Sequence, residues 1–241
     1  MSQDSIASDA ERRAFFLTLS ATALAAGGCA GSGVASAEAP KGEDHEEGEG
    51  TGAEVTPGED LMQEHGVLER VLLIYDEGVA RLDAGEPFDP ALVASSAAVV
   101  RRFVEDYHEK LEETFVFPRL EKIGSEVALV GILKEQHLKG RELTDRITEA
   151  AHAGAPDTAR LAGLLRAFVR MYRPHASREE TILFPAFRKT LDKDGYRELG
   201  EKFEEREHQL FGEGGFEDVV GEVSKIEVAL EIHDLARFTP Q

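Results

Sequence analysis

From residue 59 onward, apolar side chains return every three or four positions. Leu61, Leu68, Leu72 and Tyr75 form one such stripe, the period of an amphipathic helix. It breaks at Asp83-Ala84-Gly85-Glu86-Pro87, which predicts a first helix near 59–84. Asp89-Pro90 places an N-cap acceptor before proline at the first helical position, opening a second helix that runs to about Lys122 and stops at Gly124. Ser125 is the expected cap of a third helix reaching about Ala153, and Asp157 of a fourth reaching about Leu191. Beyond Gly195 come a shorter helix with Phe203 and Leu210 and a last amphipathic segment around 216–236. No stretch shows the period-two alternation and turn dipeptides of a sheet. The pattern therefore predicts an all-α fold: an up-down-up-down four-helix bundle over 59–192, with an additional C-terminal helical segment over 193–241.

Upstream, the pattern changes twice. Arg12-Arg13 stand before an apolar run over 14–26, of signal-peptide length and too short to span a membrane. The arginine pair followed by this run resembles a twin-arginine export signal. Ala26-Gly27-Gly28-Cys29 is similar to a bacterial lipobox. These resemblances imply a signal peptide over 1–29, cleavage before Cys29, and lipidation of that cysteine. The mature chain would then be exported and held by a lipid anchor on the periplasmic side of a bacterial membrane. Residues 30–60 hold nine acids and one lysine among Gly, Ala and Ser. Low hydrophobicity and like-charge repulsion make 30–58 an acidic, Gly-rich disordered tether.

Composition narrows the function. The chain carries 27 Lys and Arg against 47 Asp and Glu, a net charge of −20, which excludes the basic footprint that nucleic acid requires. Its one cysteine excludes a disulfide framework, a Cys-rich zinc module and an iron–sulfur cluster.

The chemistry lies in a repeated phrase. Residues 108–118 and 175–185 both read H-x-x-x-E-E-T-x-x-F-P. The first and third helices each add one histidine, in Leu61-Met62-Gln63-Glu64-His65 and Leu133-Lys134-Glu135-Gln136-His137. Residues four apart share a helix face, so His108 with Glu112, and His175 with Glu179, point the same way. Counted from the loops at ~1.5 Å per residue, the four helices bring these groups to one level within about 6 Å. The layer holds His65, His108, Glu112, His137, His175 and Glu179, too many donors for one tetrahedral zinc site. They suit two octahedral-type ions with bridging carboxylates: two irons first, manganese or zinc as other occupants. Glu109 is either a further metal ligand or a surface acid. His208, in Glu204-Glu205-Arg206-Glu207-His208, is either a fifth imidazole or a surface histidine. Tyr172, one turn before His175, either hydrogen-bonds a bound oxygen species or packs in the core. Glu113 and Glu180 read as hydrogen-bond partners of the ligands or as surface acids. Phe115, Phe117, Phe184 and Phe187 read as core. Pro118 and Pro185 deprive the carbonyls of Thr114 and Thr181 of their helical donors, which predicts a kink beyond the metals.

The order H…H-x-x-x-E…H…H-x-x-x-E, with E-E-x-x-x-F-P after each pair, resembles the hemerythrin-like (HHE cation-binding) family over roughly 59–192. The resemblance implies an oxo- or hydroxo-bridged non-haem di-iron centre with an open position for O₂ or a related small molecule. It makes His65, His108, His137 and His175 terminal ligands, and Glu112 and Glu179 bridging ones. The sequence departs from the classical oxygen carriers of that family at Arg141, where they have a further histidine, and in H-x-x-x-E where they have H-x-x-x-x-D. A carrier, store or sensor of O₂ is the first expectation. An enzyme acting on peroxide, nitric oxide or ferrous iron is the second, with no catalytic residue outside the ligands marked by pattern.

Overall fold

The computed structural model describes residues 56–153 and 157–240. The expectations for the export signal, Cys29 and most of the acidic tether fall outside the described residues. Six helices follow one another: α1 (Pro57–Ala84), α2 (90–123), α3 (Val127–Ala151), α4 (158–188), α5 (Lys193–Phe211) and α6 (Gly215–Ala229), with a 3₁₀ turn at Leu235–Phe238. Among the described residues there is no strand, and no helix is long and apolar enough to cross a membrane. Each of the first four helices packs against the next, and α4 closes the ring on α1. This is the up-down-up-down bundle, with α5 and α6 laid across α1 and α2.

The helix ends follow local chemistry. Thr56 and Glu59 form a capping box around Pro57, the Thr56 N–H donating to Glu59 Oε2 at 3.0 Å. Gly85 ends α1 in the left-handed region at φ 67°, which costs a residue without Cβ nothing. Asp89 and Asp157 cap α2 and α4 as the pattern predicts. Three ends differ. Ser125 N–H bonds the Leu120 carbonyl at 3.0 Å, so it closes α2 behind Gly124 and leaves Glu126 to open α3. Asp192 accepts from the Gly195 N–H, so α5 starts before the glycine rather than after it, and α4 stops at Arg188. The last segment is helical only to Ala229, beyond which Glu231 takes a positive φ.

Inside the bundle, Leu61, Leu68, Leu72 and Tyr75 of α1 are all buried, joined by Phe103 and Tyr107 of α2 and Phe168 and Phe187 of α4. Phe203 of α5 and Val219 and Val223 of α6 extend this core sideways. Three stretches, Val100–His108, Glu112–Val116 and Glu179–Leu183, are wound as π-helix. Phe117 and Phe184 N–H groups reach back five residues, to the carbonyls of Glu112 and Glu179. Pro118 and Pro185 cannot donate, and the break expected at each takes the form of a widened turn directly before it.

Candidate metal centre

All six side chains of the sequence-derived layer are buried, between 0 and 4% exposed. The imidazoles form two pairs: His65 and His108, with ring centres 4.7 Å apart, and His137 and His175, 5.1 Å apart. The carboxylates lie between the pairs. Glu179 approaches His65 Nε2 at 3.4 Å and His175 Nε2 at 3.0 Å. Glu112 approaches His108 Nε2 at 3.8 Å and His137 Nε2 at 3.4 Å. Each carboxylate thus touches one imidazole of each pair. Two sets of donors, Glu112–His137–His175–Glu179 and His65–His108–Glu112, are close enough to hold a metal ion each, sharing Glu112.

The outward nitrogens are all engaged. Glu64 of α1 holds His108 Nδ1 of α2 at 2.6 Å, and Glu113 of α2 holds His137 Nδ1 of α3 at 3.1 Å. Gln136 of α3 holds His175 Nδ1 of α4 at 2.9 Å, and Glu180 of α4 holds His65 Nδ1 of α1 at 3.2 Å. Every helix therefore orients the histidine of the next, and the ring closes on itself. Each Nδ1–H donates outward, which aims each Nε2 lone pair at the centre.

Most of what faces inward has no hydrogen-bond partner among the described residues. Nε2 of His65, His108 and His137 and both oxygens of Glu112 and Glu179 have no hydrogen-bond partner, seven of the eight inward atoms. Buried polar atoms are normally paired, and two neighbouring buried carboxylates are costly unless cations and hydrogen bonds compensate them. Burial and the Glu179 and Glu109 charges push the Glu112 carboxyl well above its usual range. Burial works against a charged His65, yet the neighbouring Glu179 and Glu180 carboxylates overcome it and lift the imidazole to about 9. The His175 and His65 imidazoles hold the Glu179 carboxyl well below its usual range against burial, so the two inward glutamates shift in opposite directions. Cations between the two imidazole pairs would satisfy the orphaned atoms, so the residues fit a pair of metal ions.

Of the remaining candidates, Glu109 belongs to a third donor group, with Glu113 and His137. Glu109 is buried, but its oxygens take the Tyr172 hydroxyl at 2.7 Å and Arg141 at 2.7 Å. Tyr172 is therefore directed at Glu109, with its ring edge-on to His175 at 5.4 Å. Arg141 also bonds Glu113, so it braces the outside of the centre. His208 is exposed on α5 and belongs to none of the donor groups among the described residues. Its neighbour Glu207 is the one turned inward, accepting the Phe216 N–H at 2.7 Å. Phe184 stacks on His65 at 5.4 Å and Phe117 packs on His137 at the same distance. The phenylalanine of each F-P step thus covers a histidine of the opposite hairpin. Sequence reasoning did not assign Glu64 and Gln136. Their signal was the residue directly before each lone histidine, the same position in both halves.

The comparisons agree with this geometry. The family model for the hemerythrin HHE cation-binding domain matches residues 56–187 and, overlapping, 128–226. Two curated relatives, the uncharacterized proteins Mb2018 of Mycobacterium bovis and Rv1995 of Mycobacterium tuberculosis, are each 47% identical over 190 residues, covering 77% of this chain and 74% of theirs. No solved structure matches. A paired, buried His/Glu centre on a four-helix bundle, a family model spanning most of that bundle, and relatives of this extent lead to one conclusion: the chain belongs to the hemerythrin HHE cation-binding family.

Proposed function

We propose that the protein is an exported, membrane-tethered, non-haem di-iron protein that binds O₂ or a related small molecule as carrier, store or sensor. One observation carries the di-iron reading: eight inward donor atoms, seven without a partner, with each carboxylate placed between an imidazole of one pair and an imidazole of the other. His65, His108 and Glu112 would hold one ion, His137, His175 and Glu179 the other, with both glutamates shared. Iron supplies one-electron redox chemistry toward small oxygen or nitrogen species when bound. The chain supplies the rest. The ring of Nδ1 bonds fixes the imidazoles, Phe117 and Phe184 exclude water on one side, and Tyr172 keeps its proton on a bond to Glu109.

Anaerobic reconstitution with ferrous iron tests this reading, with two irons per chain expected. Mixing that protein with O₂ separates the functions. A long-lived charge-transfer band that disappears on deoxygenation supports binding. Rapid irreversible oxidation, or catalytic loss of added peroxide, transfers the function to an enzyme. Export and anchoring rest on Arg12-Arg13, the apolar run and Cys29. Expressed in a bacterial host, the full chain is expected in the membrane fraction and the Cys29→Ser variant in the soluble fraction.

A further inference from the structure

On a chain of net charge −20, an anion is held only where cations gather. The exposed arginines of α4 are largely neutralised by acids of α1, Arg166 by Asp83 and Arg173 by Asp76. The groove between α2 and α5 differs. It encloses about 360 Å³ between Lys110, Phe115, Lys202 and Arg206, and continues past Phe115 and Lys202 into a second hollow of about 310 Å³ lined by Arg119. Lys202, Arg206 and Arg119 make no ion pair among the described residues. Of the acids there, Glu205 accepts from the Gln209 amide at 3.1 Å, Asp192 accepts the Gly195 N–H at 2.9 Å, and Glu198 lies in the second hollow. Phe115, half-buried against Phe203 with ring centres 5.6 Å apart, sets an apolar wall between the cations. Unpaired cations around one aromatic face, in a groove of this volume, suit a small organic anion.

The groove is also linked to the centre. Lys110 on its wall bonds Glu113 at 2.5 Å, and Glu113 holds His137 Nδ1 at 3.1 Å. Lys110 is 43% exposed and His137 0%, so two hydrogen bonds lead from solvent to a buried inward imidazole. Glu180, which holds His65, also reaches solvent, but its own charge repels an anion, whereas Lys110 covers Glu113 with the opposite sign. We propose that the groove between α2 and α5 docks a small anionic reductant, whose electron reaches the centre through Glu113 and His137. The inference rests on the di-iron reading. In it, the donor is oxidised by one electron and one ferric ion becomes ferrous. An enediol anion, such as ascorbate, also releases its hydroxyl proton to solvent, and no bond to the protein forms or breaks.

Ascorbate is the probe. Titrated calorimetrically into the anaerobic ferrous protein, where no electron moves, it should bind at one site. Mixed with the ferric protein, it should reduce the centre at a rate that saturates with ascorbate and falls as salt rises. Lys202→Glu and Arg206→Glu should each lower the second-order rate constant about tenfold and remove the calorimetric site, with iron content and melting temperature unchanged. Reduction by the hexaammineruthenium(II) cation should not slow in either variant. Arg170→Glu, in the groove of α4, makes the same change in net charge and should leave ascorbate reduction as it was. Two bound irons with no ascorbate site, with ascorbate reduction unmoved by both α5 variants, or with an equal loss in Arg170→Glu, overturn the inference and leave the di-iron reading intact. Fewer than two irons in the wild-type chain overturns that reading and this inference with it.

Discussion

At the scale of single residues, the centre is an unbalanced set of charges that a cation completes, and pH reads the imbalance. In the metal-free protein the His65 imidazole is lifted to about 9 against burial by Glu179 and Glu180, and burial lifts Glu64 to about 8. A raised pKa stabilises the folded state below the unfolded value, about 6.5 for His, and that stability is lost as pH rises through the folded value. Metal-free protein is therefore expected to melt at progressively lower temperature between pH 6.5 and 9, and iron-loaded protein to hold its melting temperature across that window. A second residue-scale prediction concerns Gly140, where an added Cβ would lie 1.8 Å from the Tyr172 hydroxyl. Gly140→Ala must displace Tyr172 from Glu109, and a urea midpoint should register a loss of about 1–3 kcal/mol. The inward ligands were legible in the sequence because histidine and glutamate four apart must share a helix face. Glu64 and Gln136 were not, because what they bond lies on another helix and no spacing within one helix reports it. Tyr172 was singled out as a neighbour of His175, but its partner Glu109 could be found only across the bundle.

At the scale of elements, legibility followed the strength of the local signal. Asp89-Pro90 and Asp157 announce helix starts with side chains that accept the first free N–H groups, and both starts stand where the pattern places them. Ser125 was a false start because its N–H was already committed to closing α2. The π-wound turns at Glu112–Val116 and Glu179–Leu183 left only the prolines as a trace. A wider turn is selected by packing on both sides, and a proline signals the interruption without its form. These turns begin at the two inward glutamates, so the backbone register changes at the residues that face the candidate centre. The capping box of α1 gives the element-scale prediction. Thr56→Ala removes the hydroxyl that accepts the Glu59 N–H and keeps the backbone N–H that donates to Glu59, and it is expected to lower stability by about 1 kcal/mol. The loss should be visible in chemical denaturation of metal-free protein and smaller once iron ties α1 to the other helices through His65.

At the scale of the whole molecule, the bundle and its order were legible from periodicity and breaks, whereas the docking of α5 and α6 was not. Amphipathic faces show that a helix packs, without showing on what. The answer is α1 and α2: Arg70 bonds Glu227 at 2.9 Å and Ser224 at 2.8 Å, and Arg81 reaches the Leu230 carbonyl at 2.6 Å. Val219, Val223 and Leu230 are buried there, as is Phe203, and each such side chain contributes roughly 1.5–3 kcal/mol. Truncation after Asp192 is therefore expected to lower the melting temperature sharply and expose apolar surface, measured as increased binding of a hydrophobic dye. The duplicated phrase has one more consequence. Were the centre assembled from two copies of a single hairpin, every acid behind a histidine would be mirrored, and the two sides of the centre would be identical by symmetry. Joining both hairpins in one polypeptide removes that obligation, and position 136 is where the halves are free to differ.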